Sequence, residues 1–420
     1  MKPRTVFQHK VVAANERLRP IPDKVITWAF RHTLKHYAFR TPKGMTTCLD
    51  CGHKWHSRGE GKCRCPKCRA ELEIKDTLRR KTAAGAYASF LDTQDGFQVQ
   101  RVFLLTAQYR KGKKPVCQVR EIMRYWLDEN GKSEITGLRR TMGRYLDTFT
   151  GIDIELRHDN SIYQDIADCD VYPVLKVIPQ LRRNGLGNDF CDAPPQNLMK
   201  ALLSDSRIET MMKTGRKAHI AYFLDHPKRL DECWPAYRIA LRNDYRIDEI
   251  DIWADYINML VECRKDIRNA HYVCPADLHA AHDRYQGIID SMRERKRLEE
   301  NRRLAQEHEK EFRDMKGKYF GLRFTDGKIV VSVLDSVLAH YQEGDAMHHC
   351  VGSHNYFLNP ESLIMSARID GKRVETVELS LKSFKILQSR GIQNKSTPYH
   401  DQIIALVNKN VQQVRRLAAA

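Results

Sequence analysis

A chain of 420 residues with 42% apolar content is globular and long for a single core, so two to four domains are expected. Its formal charge of +18 attracts polyanions, and residues 1–80 hold 19 Lys and Arg against 7 Asp and Glu, which puts the basic end at the N-terminus. No apolar run reaches the roughly eighteen residues of a membrane-spanning helix, and the first residues are too polar for a signal-peptide core. The expectation is a cytoplasmic protein, away from membranes, whose twelve cysteines serve metal binding or stay reduced.

Residues 21–40 mix helical periodicity with aromatics and predict a helix that starts near Pro22 and feeds into a cysteine-rich stretch. Trp28, Phe30 and Tyr37 can stack on bases, but aromatics at helical spacing are more often core. Cys48-x-x-Cys51 and Cys65-x-x-Cys68 come next, and thirteen residues separate the pairs. That spacing predicts a zinc ribbon over 45–72: each turn aims two sulfurs at one point about 2.3 Å away, and two turns complete a tetrahedron. Cys63, His53 and His56 are near enough to replace one ligand. Lys54, Arg58, Lys62, Arg64, Lys67 and Arg69 lie between and beside the ligands, a surface suited to the phosphates of DNA or RNA.

Beyond the basic region (1–80), residues 81–192 predict a mainly β domain. Its strands are Tyr87–Leu91, Phe97–Ala107 and Val116–Leu127, with turns at Asp95-Gly96, Lys111-Gly112-Lys113 and Asn130-Gly131. The alternation along Phe97 to Phe103 is imperfect, which points to a sheet covered unevenly. Asn184 to Asn188 is Gly-rich but lacks the full phosphate-binding pattern and reads as a loop. Residues 193–318 predict short amphipathic helices, a surface for protein partners, ending in a long charged helix from Arg284 to Lys318 after an Asp277 cap.

Residues 319–420 read as an α+β module: two strands, a helix capped at Asp335-Ser336, three further strands and a last amphipathic helix. On the strand Arg373–Leu381, Thr376 and Glu378 share the face opposite Val377 and Leu379. His349, Cys350, Arg368, Glu378, Gln388 and Asn394 form a candidate catalytic set, or equally a polar network that locks the module. Adjacency alone does not make His349 and Cys350 a dyad, because neighbouring residues on a helix point apart.

The string His348-His349-Cys350-Val351-Gly352-Ser353, with Tyr356, Ile364 to Arg368, Thr376-Val377-Glu378, Gln388 to Gly391 and Asn394, resembles the PcfJ-like proteins. The likeness is strongest over about 270–400, and its His-Cys-Val hallmark falls on His349, Cys350 and Val351. His354 stands where the family leads one to expect Tyr. The resemblance implies a protein of conjugative plasmids and other mobile elements that handles nucleic acid. The alternatives are an enzyme with His349 as base, Arg368 as anion clamp, Glu378 as second acid or base, and Gln388 with Asn394 as substrate donors, or a scaffold of a conjugation machine.

Overall fold

The computed structural model describes residues 1–59, 61–142, 147–157, 163–352 and 356–420. They form a mixed α+β protein that divides into two compact units, Met1–Ala254 and Asp255–Ala420.

The first unit opens with α1 (Val6–Glu16), held by a Thr5/Gln8 capping box, and α2 (Asp23–His32). The helix expected to run on toward residue 40 stops at His32, and Tyr37–Arg40 forms a strand, β1. The physical reason is two-sided burial: Tyr37 and Phe39 pack with Val25 and Ala29 of α2, while Ala38 packs with Cys48, Cys65 and Leu72. Alternation of that kind belongs to a strand. With β2 (Met45–Cys48), β3 (Lys54–His56), β4 (Lys62–Arg64) and β5 (Glu71–Asp76) it makes a sheet of order β3-β2-β1-β5-β4, antiparallel except for β1 beside β5. The ribbon therefore extends beyond 45–72, because β1 supplies its centre.

The second sheet contains β6 (Lys81–Gln94), β7 (Phe97–Arg110), β8 (Val116–Leu127), β9 (Ser133–Thr141) and β10 (Thr148–Leu156) as a meander. After α3 (Gln164–Ala167), β11 (Asp170–Val171) joins it parallel to β6. Asp95 and Gly96, both at positive φ, make the tight first hairpin. The imperfect alternation has a cause: β7 is buried on both faces from Phe97 to Phe103, and Arg101 lies only 1% exposed. Its guanidinium grips both oxygens of Glu121 at 2.7 and 2.8 Å and reaches Asp92 at 3.3 Å. Burial pushes the Glu121 carboxyl up, but hydrogen bonds from Arg124 and Arg101 outweigh it and hold the group below the usual range.

Short helices follow: α4 (Pro179–Arg183), α5 (Pro195–Ser204), α6 (Ser206–Lys213), α7 (Lys217–Asp225), α8 (Pro227–Arg242) and α9 (Ile250–Glu262), within which the two units divide. Residues 184–188 are a loop as expected, and Gly185 needs its missing side chain, since at φ +92° a Cβ would come 2.8 Å from Met212 Cγ.

In the second unit, α10 (Ala270–Val273) precedes α11 (Leu278–Lys316), whose N-terminus is capped by Asp277 at 3.0 Å from the Ala280 amide. Pairs such as Arg297–Glu294 and Arg313–Glu309 run along it. The antiparallel sheet β12 (Arg323–Thr325), β13 (Ile329–Val333), β14 (Ser362–Ile369), β15 (Lys372–Ser380) and β16 (Ile386–Arg390) keeps chain order. Helix α12 (Val337–Met347) lies between β13 and β14 in sequence, and α13 (His400–Ala419) comes last. Ile403, Leu406, Val407 and Val414 of α13 pack with Val331, Met365, Val377 and Leu379, so the opposite sheet face carries Thr376 and Glu378. Among the described residues no helix is long and apolar enough to cross a membrane.

Candidate functional site

Two places collect the chemistry. In the first, the turns after β2 and β4 bring Cys48, Cys51, Cys65 and Cys68 together, with all four sulfurs within 4.8 Å of one another. The Cys48–Cys68 and Cys51–Cys65 sulfurs are 3.8 and 3.7 Å apart, far beyond a disulfide. Four sulfurs placed tetrahedrally about 2.3 Å from one ion stand about 3.8 Å from each other, so the residues fit a bound metal. Neither Cys63, His53 nor His56 belongs to the group: Cys63 is the middle residue of β4, and His53 stacks on Trp55 with centroids 6.0 Å apart.

The two turns repeat one hydrogen-bond pattern. The Gly52 amide donates to Cys48 O and the Arg69 amide to Cys65 O, both at 3.0 Å. Gly52 and Arg69 both have positive φ, 76° and 65°, so an arginine occupies the left-handed position that glycine fills in the sister turn. Burial raises the Cys48 thiol and lifts Cys68 to about 11. At Cys65 burial acts the same way, but the Cys68 and Lys67 amides outweigh it and lower the pKa.

All six basic residues singled out from the sequence are exposed. Lys62, Arg64 and Arg69 line one groove of about 1030 Å³ together with Arg31, His32 and Lys35. Asp50, Glu71 and Glu73 also line it, and Arg64 spends part of its charge on Glu71 at 3.3 Å. Arg58 lines a separate depression with Arg40 and Asp76, and Lys54 and Lys67 line neither. Sequence reasoning missed two groups: the cations of the α2 segment, and the exposed cations Arg79, Arg80, Lys81, Arg110, Lys113 and Lys114 where β6 starts and β7 ends. None of the latter makes an ion pair among the described residues. By contrast, Arg101 and Arg124 of the sheet are held by Glu121, and Arg120 by the carbonyls of Phe149 and Gly151. The sheet thus uses much of its own charge internally.

The second place is a pocket of about 180 Å³ in the second unit, lined by His349, Cys350, Tyr356, Thr376, Glu378, Gln388, Arg390 and Asn394, with Val351 and Ile364. Helix α12 ends at Met347, and His348 turns left-handed at φ 53°, its amide and that of His349 both reaching Gly344 O. His349 and Cys350 therefore sit beyond the helix, in a turn, and both reach the pocket. The objection that neighbours on a helix point apart does not apply here. Residues 252–404 match the family model of PcfJ-like proteins. This part of the chain is PcfJ-like. No curated protein and no solved structure matches the chain.

In the PcfJ-like region the His-Cys-Val hallmark is the turn that walls the pocket, while Ser353 and His354 lie outside the described residues. Three glycines keep the wall close. A Cβ on Gly344 would meet His349 O at 2.9 Å, one on Gly352 would meet Tyr341 Cδ1 at 2.7 Å, and one on Gly391 would meet Thr397 Cγ2 at 2.5 Å. The Gly391 carbonyl accepts from His349 Nε2 at 2.7 Å. Glu378, 8% exposed, accepts from Ser362 at 2.6 Å and from Gln388 Nε2 at 2.7 Å. Asn394, which lines the pocket, and its neighbour Gln393 are both left-handed, at φ 61° and 56°.

Of the six candidates, His349, Cys350, Glu378, Gln388 and Asn394 are brought together and Arg368 is not: it stays half-buried with Nε 3.3 Å from Ser366 Oγ. The cation in the pocket is Arg390, which the sequence signals weakly, two residues from Gln388 on the same strand face. Glu343 of α12, fully buried, accepts from Thr376 at 3.0 Å and from Arg373 at 2.7 Å, and no local pattern announces it.

Proposed function

We propose that this is a zinc-containing nucleic-acid-binding protein of a mobile genetic element, with the ribbon and α2 as its binding surface. The single observation that carries the reading is the groove lined together by Lys62, Arg64 and Arg69 of the ribbon and by Arg31, His32 and Lys35 from the α2 segment. Cations brought from two separate segments to one groove suit a phosphate backbone that runs along it. Zinc is the ion favoured by four tetrahedral thiolates in a structural site, where it supplies folding energy to a knob too small to fold alone. The exposed cations at the β6–β7 end offer further phosphate contacts. The mobile-element assignment rests on the PcfJ-like likeness.

The test is a titration of the full chain with random single-stranded and duplex DNA and RNA at several salt concentrations. With six or more phosphate contacts, affinity falls about a thousandfold between 50 and 200 mM salt. Replacing Arg31, Lys35 and Lys62 by Ala flattens that slope by about three counterions' worth. Salt-independent binding, or a slope that the triple variant leaves unchanged, would overturn the groove as the binding surface.

A further inference from the structure

The pocket of the PcfJ-like region carries a second inference, independent of the ribbon. Among the described residues, the buried end of the pocket is one-sided in its hydrogen bonding. A carbonyl oxygen only accepts, so the neutral tautomer of His349 that fits this contact has its hydrogen on Nε2, toward Gly391 O, and its lone pair on Nδ1. The Thr376 hydroxyl has given its hydrogen to Glu343, and Gln388 has given one amide hydrogen to Glu378. Glu378 has no hydrogen to give as a carboxylate. What His349, Thr376 and Glu378 retain for a ligand is acceptor capacity, and Gln388 adds its carbonyl oxygen, while the donors of the lining, on Tyr356, Cys350, Asn394 and the second Gln388 amide hydrogen, belong to half-buried or exposed residues. Thr376 and Glu378 are buried, at 5% and 8% exposure, whereas Gln388, Arg390 and Asn394 are exposed, so these two acceptors lie inward and Arg390, the one Lys or Arg among the described lining residues, lies on the exposed side.

The geometry points to a site for a small zwitterion: a primary ammonium group enters first and meets Glu378, Thr376, Gln388 and His349, and an anionic group behind it pairs with Arg390. An ammonium has three donors and no acceptor, which complements several converging acceptors better than a planar guanidinium fork does. The volume of about 180 Å³ falls below the usual range for drug-sized ligands and suits an amino-acid-sized molecule. Gly344, Gly352 and Gly391 keep the His349 turn and its carbonyl anchor in register, as a preformed site requires.

The experiment follows the His349 imidazole resonances of the full chain, assigned with His349→Gln, on titration with L-lysine, cadaverine and glutarate. L-lysine shifts them saturably, cadaverine does so with affinity several-fold weaker because it lacks the carboxylate, and glutarate leaves them unmoved. Glu378→Gln lowers the affinity for both amines by tenfold or more, the loss expected of a charge-assisted hydrogen bond. Arg390→Ala, an exposed change that leaves the fold intact, makes L-lysine and cadaverine bind alike. Glutarate shifting His349 as strongly as L-lysine would overturn the proposal, as would the absence of any saturable shift with L-lysine or an Arg390→Ala protein that still prefers it to cadaverine.

Discussion

The cysteine cluster and the His349 pocket solve the same problem, holding polar groups in fixed geometry, by opposite means. The cluster draws its four sulfurs from two short turns of one ribbon, each turn closing on itself through an amide four residues on. The pocket draws on α12, the turn after it, β15, β16 and the segment after β16, and rests on three buried carboxylates with donors from separate elements. Glu343 ties α12 to β15, Glu378 ties β14 to β16, and Glu375 ties β15 to β16, Thr397 and α13. The cluster has the geometry to close around an ion, whereas the pocket depends on tertiary packing.

The largest expected effect separates the two directly. Chelation, or Cys48→Ser with Cys65→Ser, removes on the order of 10 kcal/mol of metal-binding free energy from the ribbon. Metal analysis then shows loss of the ion and Trp55 fluorescence reports unfolding of the ribbon, while the His349 resonances stay in place. A joint collapse of both would break the comparison.

On the pocket side, Glu375→Ala strands donors on Ser389, Thr397 and His400 and costs about 2–4 kcal/mol in denaturant unfolding. Burial acts to raise the Glu375 pKa, but hydrogen bonds from Ser389, Thr397 and His400 outweigh it and lower it. A depressed folded-state pKa means the carboxylate stabilises the fold above its unfolded value near 4.5 and the contribution disappears as pH falls through the lower, folded value. The acid limb of the stability profile is therefore shallower in Glu375→Gln.

A smaller effect is expected from Gly391→Ala. The new methyl, 2.5 Å from Thr397 Cγ2, costs about 1–3 kcal/mol and shifts the carbonyl that holds His349. The His349 resonances move in this variant even where melting changes little.

The smallest change probes the two cysteine turns against each other. Arg69→Gly gives the second turn the residue that the first already has at Gly52 and relieves about 1 kcal/mol of left-handed strain. The protein melts slightly higher, and under the proposed function it binds nucleic acid more weakly, because Arg69 lines the groove. Equal binding by the variant would mean that the arginine contributes nothing to the groove.

Much of this was legible in the chain. The spacing of Cys48, Cys51, Cys65 and Cys68 announced the cluster, Asp277 announced the start of α11, and Asp95-Gly96 announced a hairpin, because each is a local signal resolved within a few residues. The period of residues 21–40 misled because Tyr37, Ala38 and Phe39 answer to two different cores at once. Arg101 and Glu121 broke the alternation of their strands because they pair with each other in the interior rather than facing water.

The sequence by itself determined the four-cysteine cluster, the basic character of the N-terminal region and the membership of His349, Glu378, Gln388 and Asn394 in one polar group. Tertiary structure alone decided that Arg390 rather than Arg368 joins them, that Arg31 and His32 of α2 and Lys35 beyond it line the groove with the ribbon's cations, and that Glu343 holds Thr376 of the pocket. The reason is physical: ligand spacing and strand alternation are written in neighbouring residues, whereas which charge faces which depends on the register and packing of segments tens of residues apart.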